Sequence, residues 1–183
     1  MTDIIIGNDC HAIDIRDQFP APYAFRDAGQ VRRIIVHHDA RGRPGRPIWT
    51  RDTEMIRIAT VHEQHQSQGW PGIAYHFYVF PRHIYYTGDW ATIRYHTAGP
   101  DDPDTPPIIS KYNEDGIAVC LAGDFTNRPP GRAQLAQAAL LVRNLRFLFN
   151  QAGLPVFAHR DLTNTACPGD TWPRWVHALQ PHS

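Results

Sequence analysis

The chain has 183 residues, of which 42% are hydrophobic and 20% charged, and its formal net charge at pH 7 is zero. This length suits a single domain with a substantial buried core. The neutral charge balance argues against a general electrostatic attraction to nucleic acid or to an anionic membrane, and no apolar run approaches the ~20 residues of a membrane span. The amino terminus lacks a basic leader, so we expect no secretory signal peptide and synthesis in the cytoplasm.

The first 29 residues carry little periodic pattern. We therefore predict an amino-terminal extension, residues 1–29, packed on a core domain of residues 30–183. The core domain opens with a β-branched, apolar run at residues 31–36, which predicts a buried strand that ends at His37-His38.

A helix and two strands follow in the sequence. The helix is predicted from about Thr50 to the Gly-Trp-Pro-Gly segment at residues 69–72, with apolar positions at Met55, Ile56, Ala59 and Val61 or His62. The strands are residues 73–80 and 83–88, joined by a tight turn. Alternation along the first strand predicts one face with Tyr75, Phe77 and Val79 and the other with His76, Tyr78 and Phe80.

The rest of the chain repeats the alternation of strand and helix. Residues 116–123 form an apolar strand that contains Cys120, and residues 132–151 form the clearest helix, whose apolar stripe is Leu135, Ala138 or Ala139, Val142, Leu145 or Arg146, and Phe149. Residues 154–159 predict a last strand, and Asp170 is placed to cap a terminal helix. This order predicts the α/β class, with one central mixed β-sheet flanked by helices.

Two of the predicted strands end in histidine, at His37 and His159, and open α/β sheets place their functional residues at strand ends. Cys167 follows on a polar loop that can fold back toward them. Two imidazoles and a thiolate suit zinc, which accepts nitrogen and sulfur ligands tetrahedrally and keeps a fourth position for water in catalytic sites. The residues alone leave a second interpretation open, in which His159 caps a strand edge and Cys167 packs as a small hydrophobic side chain.

Five segments extend this pattern over most of the chain, from about Val31 to Trp175: IIVHHDA, GWPGIAYHFYVF, YHTAG, GIAVCLAGDF and AHRDLTNTACPGD. In this order they resemble the zinc-dependent N-acetylmuramoyl-L-alanine amidases of the type 2 superfamily, which includes phage lysozyme-amidases and animal peptidoglycan recognition proteins. The resemblance implies that His37, His159 and Cys167 are zinc ligands.

The resemblance also implies roles for three other residues. Tyr75 matches a tyrosine held near the metal-bound water and the scissile carbonyl, and His96 matches a cleft histidine that positions substrate. Thr165 stands where some phage enzymes carry a lysine, and it would offer a weaker catalytic contact. Some relatives carry a catalytic glutamate where this chain has Cys120, which cannot act as that base, so a site that relies on Tyr75 fits better.

The implied function is zinc-dependent hydrolysis of the amide bond between N-acetylmuramic acid and L-alanine. The partner would be peptidoglycan or a muropeptide, with no nucleic acid, no membrane and no assigned protein partner. The enzyme would reach the cell wall by phage-type release or other export. Two alternatives stay open: a non-catalytic peptidoglycan-binding module, whose members typically lack the metal cysteine, and a cysteine hydrolase with Cys120 or Cys167 as nucleophile.

Overall fold

The computed structural model describes residues 1–41, 49–97 and 111–180, and a mixed β-sheet lies at its centre. Within these ranges the strands are β1 (Thr2–Ile6), β2 (Cys10–Asp14), β3 (Arg33–His38), β4 (Phe77–Val79), β5 (Ile84–Tyr86), β6 (Gly116–Leu121) and β7 (Val156–Ala158). Their order across the sheet is β1-β2-β5-β4-β6-β3-β7. This architecture confirms the predicted α/β class with a central mixed sheet.

The parallel strands of the sheet position the candidate functional residues. β3 pairs in parallel with β6 on one side and with β7 on the other, and His37 lies opposite Cys120 in the β3–β6 register. β4 extends this group as a parallel neighbour of β6 and forms an antiparallel hairpin with β5. The carboxyl ends of β3, β4, β6 and β7 therefore open at the same edge of the sheet.

Helices cover both faces of the sheet. They are α1 (Arg51–Ser67), α2 (Lys111–Asp115) and α3 (Arg132–Leu148). α3 packs on the face that carries Val36 and Val119, whereas α1 packs on the face that carries Tyr78 and Cys120. No helix in the described ranges combines the length and the apolar character needed to cross a membrane.

The start of α1 follows the sequence prediction, but its buried face does not. Thr50 caps the helix and accepts a hydrogen bond from Thr53 N at 3.3 Å. The buried positions are Glu54, Ile58, Val61 and His65, whereas Ile56 is 66% exposed. The predicted stripe was therefore right at Val61 and wrong at Ile56. The error arose because two of the buried positions are polar residues with tertiary partners, such as Tyr85, whose hydroxyl donates to the Glu54 carboxylate at 2.8 Å.

The first residues of the chain, predicted as an extension on the core, form two strands of the central sheet. β1 and β2 form an antiparallel pair, and β2 continues the sheet by pairing in parallel with β5. The turn between them is held by Asn144 of α3, whose side-chain oxygen accepts hydrogen bonds from the backbone N–H groups of Asn8 and Asp9 at 2.8 and 3.0 Å. Neither strand was predicted, because their burial depends on partners far away in the sequence.

The terminal helix predicted after Asp170 is absent from the described residues. The segment forms two short 3₁₀ turns instead, at Trp172–Arg174 and Val176–Leu179. Asp170 caps neither turn and pairs with Arg160 at 2.8 Å. Thr171 donates its hydroxyl to the carbonyl of Phe125 at 2.6 Å, and this bond ties the segment to the loop after β6.

Candidate metal centre and catalytic cleft

Two histidines meet at the carboxyl ends of neighbouring strands. His37 is the fifth residue of β3 and His159 directly follows β7, and β3 and β7 are parallel neighbours. Since parallel strands end at the same edge of a sheet, the fold itself brings the two rings together, with centroids 4.6 Å apart.

The loop after His159 brings Cys167 to the same place. A backbone hydrogen bond from Arg160 N to Cys167 O, 2.8 Å long, closes the loop, so His159 and Cys167 stand side by side. Cys167 Sγ accepts a hydrogen bond from His38 N at 3.3 Å and lies 3.8 Å from His37 Nδ1. One potential ligand atom from each of His37, His159 and Cys167 lies within 4.8 Å of the other two.

These three side chains fit a tetrahedral zinc ion. Bond lengths of about 2.0–2.3 Å to nitrogen and sulfur imply ligand separations of roughly 3.5 Å, close to the 3.8 Å between Cys167 Sγ and His37 Nδ1. His159 Nε2 is buried and has no hydrogen-bond partner among the described residues, which is a costly arrangement unless another group takes its lone pair. The combination of two nitrogen donors and one sulfur donor is typical of zinc.

Burial also sets the protonation of these groups. It lowers the pKa of His37, with the nearby His159 as a second cause, and it lowers the pKa of His159 to about 4. Both imidazoles are therefore neutral near pH 7 and have a lone pair to offer. Burial raises the pKa of the Cys167 thiol to about 12, opposed by the backbone N–H of His38. A thiol in this state is a poor nucleophile on its own.

Tyr75 lies beside this cluster, on the face of the sheet opposite to the one predicted. Its ring is 5.3 Å from the His37 ring and 5.4 Å from the His65 ring, and it packs with Tyr78 rather than with Phe77. Strict alternation fails here because the regular strand begins at Phe77, and the preceding residues are irregular. Burial raises the pKa of the Tyr75 hydroxyl, with the thiols of Cys120 and Cys167 as further causes, so the hydroxyl keeps its proton.

All six residues selected from the sequence line one cleft with a volume of about 350 Å³. Thr165 sits at the loop beside the cysteine, where its hydroxyl oxygen accepts a hydrogen bond from Cys167 N at 3.3 Å. His96 is buried behind His37, with its Nδ1 atom 3.0 Å from His37 Nε2. A larger groove of about 980 Å³ beside α3 contains none of the six residues.

Several residues of the cleft were not selected from the sequence. Trp70, Gln64 and Asp39 line it, and the Trp70 ring packs 4.8 Å from the ring of His65. The Gly-Trp pair at positions 69–70 was interpreted as a helix end and as part of a family motif, and Trp70 itself was given no role. A large aromatic side chain beside a predicted site is nevertheless a signal for substrate contact.

Asp39 organises the turn that follows the carboxyl end of β3. Its buried carboxylate accepts two hydrogen bonds from Arg57, from Nε at 2.5 Å and from Nη2 at 2.6 Å. It also accepts the hydroxyl of Tyr78 and the backbone N–H of Gly123, the latter at 2.9 Å. The carboxylate therefore joins the chain just after His37 to α1, β4 and the end of β6.

The Asp39–Arg57 pair gives a stability prediction. Arg57→Leu should lower the free energy of unfolding by about 3–5 kcal/mol, because it leaves a buried carboxylate without its counter-ion. Urea denaturation measures this change. The matched control is Arg143→Leu, whose ion pair with Asp9 is exposed and is worth ~0–1 kcal/mol. Equal losses in the two variants would contradict a stabilising role for the buried pair.

Solved structures share this arrangement of strands and helices. The endolysin Ph2119, from a bacteriophage of Thermus scotoductus MAT2119, superposes with a TM-score of 0.65 at 21% identity and covers 92% of this chain and 99% of its own. Bumblebee PGRP-SA gives a TM-score of 0.72 at 18% identity, over 90% of this chain and 95% of its own. The fold is that of the type 2 amidases and peptidoglycan recognition proteins.

Sequence comparison then gives the family. Residues 27–170 match the family described as N-acetylmuramoyl-L-alanine amidase, and the chain belongs to that family. The human N-acetylmuramoyl-L-alanine amidase is 28% identical over 158 residues, which cover 81% of this chain and 25% of the human protein. Peptidoglycan-recognition protein LB of Drosophila melanogaster is 26% identical over 169 residues, which cover 87% of this chain and 62% of the fly protein. The chain thus spans about a quarter of the human relative and less than two thirds of the fly relative.

Proposed function

We propose that the protein is a zinc-dependent amidase that cleaves the bond between N-acetylmuramic acid and L-alanine in peptidoglycan. The observation that carries the proposal is the convergence of His37, His159 and Cys167 at one edge of the sheet, in a cleft that also contains Tyr75. Membership in the amidase family supplies the substrate class. Relatives named as endolysins and peptidoglycan recognition proteins support action on the cell wall and binding of peptidoglycan or its fragments.

His37, His159 and Cys167 would hold the zinc ion. The chemistry that such a site supplies is polarisation of the scissile carbonyl and a bound water with a pKa near ~7. The neutral imidazoles and the enclosed thiol are suited to this task, because the protein releases only the thiol proton when the ligands engage.

Tyr75 and Thr165 supply hydrogen bonds to the reacting amide in this proposal. The Tyr75 hydroxyl keeps its proton because burial raises its pKa, so it can donate to the oxyanion that develops on the scissile carbonyl. The oxygen of the Thr165 hydroxyl is fixed by Cys167 N–H, which leaves its own proton free to point into the cleft. His96 borders the same cleft, and the substrate-positioning role that the family resemblance implies for it stays a prediction.

Two other functions are weaker fits. A non-catalytic peptidoglycan-binding module would not need a cysteine at the metal position, and Cys167 is held there by a hydrogen bond from His38 N. A cysteine hydrolase would need a reactive thiol, but burial raises the pKa of both Cys120 and Cys167.

Digestion of purified peptidoglycan tests the reaction. We expect mass spectrometry to show free L-alanine amino termini on the released stem peptides, with glycan chains at full length, because the lactyl-amide bond is the bond that breaks. Chelator treatment should stop the release, and zinc should restore it. New reducing sugar ends without new amines would mean a glycosidase and would overturn the proposal.

A further inference from the structure

His96 contacts the candidate metal ligand His37 directly, on the side of the ring that faces away from Cys167. His96 Nδ1 is 3.0 Å from His37 Nε2, whereas His37 Nδ1 is the atom that lies 3.8 Å from Cys167 Sγ. The rings of His37 and His96 meet edge to face with centroids 5.0 Å apart. One nitrogen of His37 therefore faces the cysteine, and the other is engaged by His96.

We propose that His96 is a positioning residue for the metal. It accepts a hydrogen bond from His37 Nε2–H, and this bond fixes the tautomer and the ring orientation in which His37 Nδ1 offers its lone pair to zinc. The inference rests on the proposed function, because it takes His37, His159 and Cys167 as the ligands. Metal-binding histidines usually donate their second ring N–H to a fixed acceptor, and loss of that acceptor typically weakens metal binding about 10–100-fold.

The proposed bond also defines the tautomer of His96. When Nδ1 accepts a hydrogen bond, the proton of a neutral imidazole must be on Nε2. Gly116, at the start of β6, lies against the His96 ring, and its carbonyl accepts a hydrogen bond from Arg26 Nη1 at 2.9 Å. A Cβ atom at Gly116 would lie 2.4 Å from Tyr112 O and 2.7 Å from Ile35 Cδ1, so a side chain there would force the packing beside His96 to shift.

The burial of His96 favours support of His37 over direct contact with substrate. His96 is 4% exposed, and its Nε2 atom is buried without a hydrogen bond of good geometry among the described residues. Its Nδ1 atom is occupied by His37. Neither nitrogen is presented to the open cleft, so the geometry favours support of His37 over a direct hydrogen bond to substrate.

Two substitutions at position 96 separate the hydrogen bond from the packing. His96→Phe keeps a ring but has no acceptor, so the zinc Kd of the purified, zinc-loaded protein, measured by competition with a chelator, should rise about 10–100-fold. His96→Asn places an amide oxygen near the position of Nδ1 and should restore a zinc Kd close to that of the parent. The matched control is His62→Phe: this histidine accepts a hydrogen bond from Ile73 N away from the cleft, and its loss should leave the zinc Kd unchanged.

A measurement on the unsubstituted protein decides the case even where His96→Phe fails to fold. Nitrogen-15 spectra of the histidine rings in the zinc-loaded protein should show protons on Nε2 of both His37 and His96, and none on His96 Nδ1. A proton on His96 Nδ1 overturns the inference, and so does a folded His96→Phe variant that raises KM with a parental zinc Kd. If the parent takes up no zinc, the proposed function itself fails, which is a different outcome from a zinc-loaded parent that is indifferent to position 96.

Discussion

Replacing Cys167 by alanine is expected to reduce zinc content from about one ion per chain to near zero and to abolish amidase activity. Two histidines leave an incomplete tetrahedron, and the thiolate is the charged ligand that compensates part of the metal's charge. The backbone around the site should persist, because the loop that carries Cys167 is held by its own hydrogen bonds, including the 2.8 Å bond from Arg160 N to Cys167 O. Elemental analysis of the dialysed protein, together with the peptidoglycan digest, measures both effects.

The matched control for this substitution is Cys10→Ala. Cys10 is fully buried in β2, on a strand that is separated from β3 by three others in the sheet, so its loss should leave zinc content unchanged. His37→Ala and His159→Ala should behave like Cys167→Ala. Full zinc occupancy in Cys167→Ala would rule out the proposed ligand set.

The second large effect is expected for Tyr75→Phe, which should lower kcat by roughly 10²–10³ with zinc content and melting temperature close to those of the parent. The substitution keeps the ring that packs between His37 and His65 and removes one hydroxyl donor. If that donor stabilises the developing oxyanion, its loss costs ~3–4 kcal/mol of transition-state stabilisation. Steady-state kinetics on a soluble muropeptide, alongside thermal unfolding, gives the result.

Tyr85→Phe controls for the loss of a buried tyrosine hydroxyl in general. Tyr85 donates to Glu54 at 2.8 Å and does not line the cleft, so its loss should affect stability far more than kcat. Near-parental kcat in Tyr75→Phe, or loss of activity that follows unfolding or release of metal, would remove Tyr75 from the mechanism.

The sequence predicted those strands and helices whose burial is evident from the local pattern of apolar residues. β3, β6 and α3 were found because runs of apolar residues mark them without reference to their neighbours. β1 and β2 were missed because they are short and depend on pairing with β5 and on the side chain of Asn144. The buried face of α1 was predicted wrongly for the same reason, since Glu54 is buried only because Tyr85 and other partners contact it from another part of the chain.

The candidate site likewise combines residues that the sequence alone indicates with contacts that only the folded structure shows. The positions of His37 and His159 at strand ends, and of Cys167 on the loop that follows, are visible in the sequence. The family resemblance added Tyr75, His96 and Thr165. The Asp39–Arg57 pair and the contact of His96 with His37 are not visible there, because they depend on the spatial approach of segments that no local pattern relates. The side of the sheet that Tyr75 occupies was likewise decided by an irregular backbone before β4.

The position of the ligands along the chain has a consequence for how the protein matures. His37 and Cys167 are 130 positions apart, and β3 lies between β6 and β7, which are both made later. During synthesis the amino-terminal part of the chain is made first. β3 can therefore complete its pairing only after β6 and β7 have been made, and the loop that carries Cys167 can dock only after β7 has paired. A chain that is cut or stalled before residue 159 would carry most of the sheet but only one of the three proposed ligands, His37. Under the proposed function, degradation fragments of this kind would lack amidase activity, which would require a chain that extends beyond Cys167.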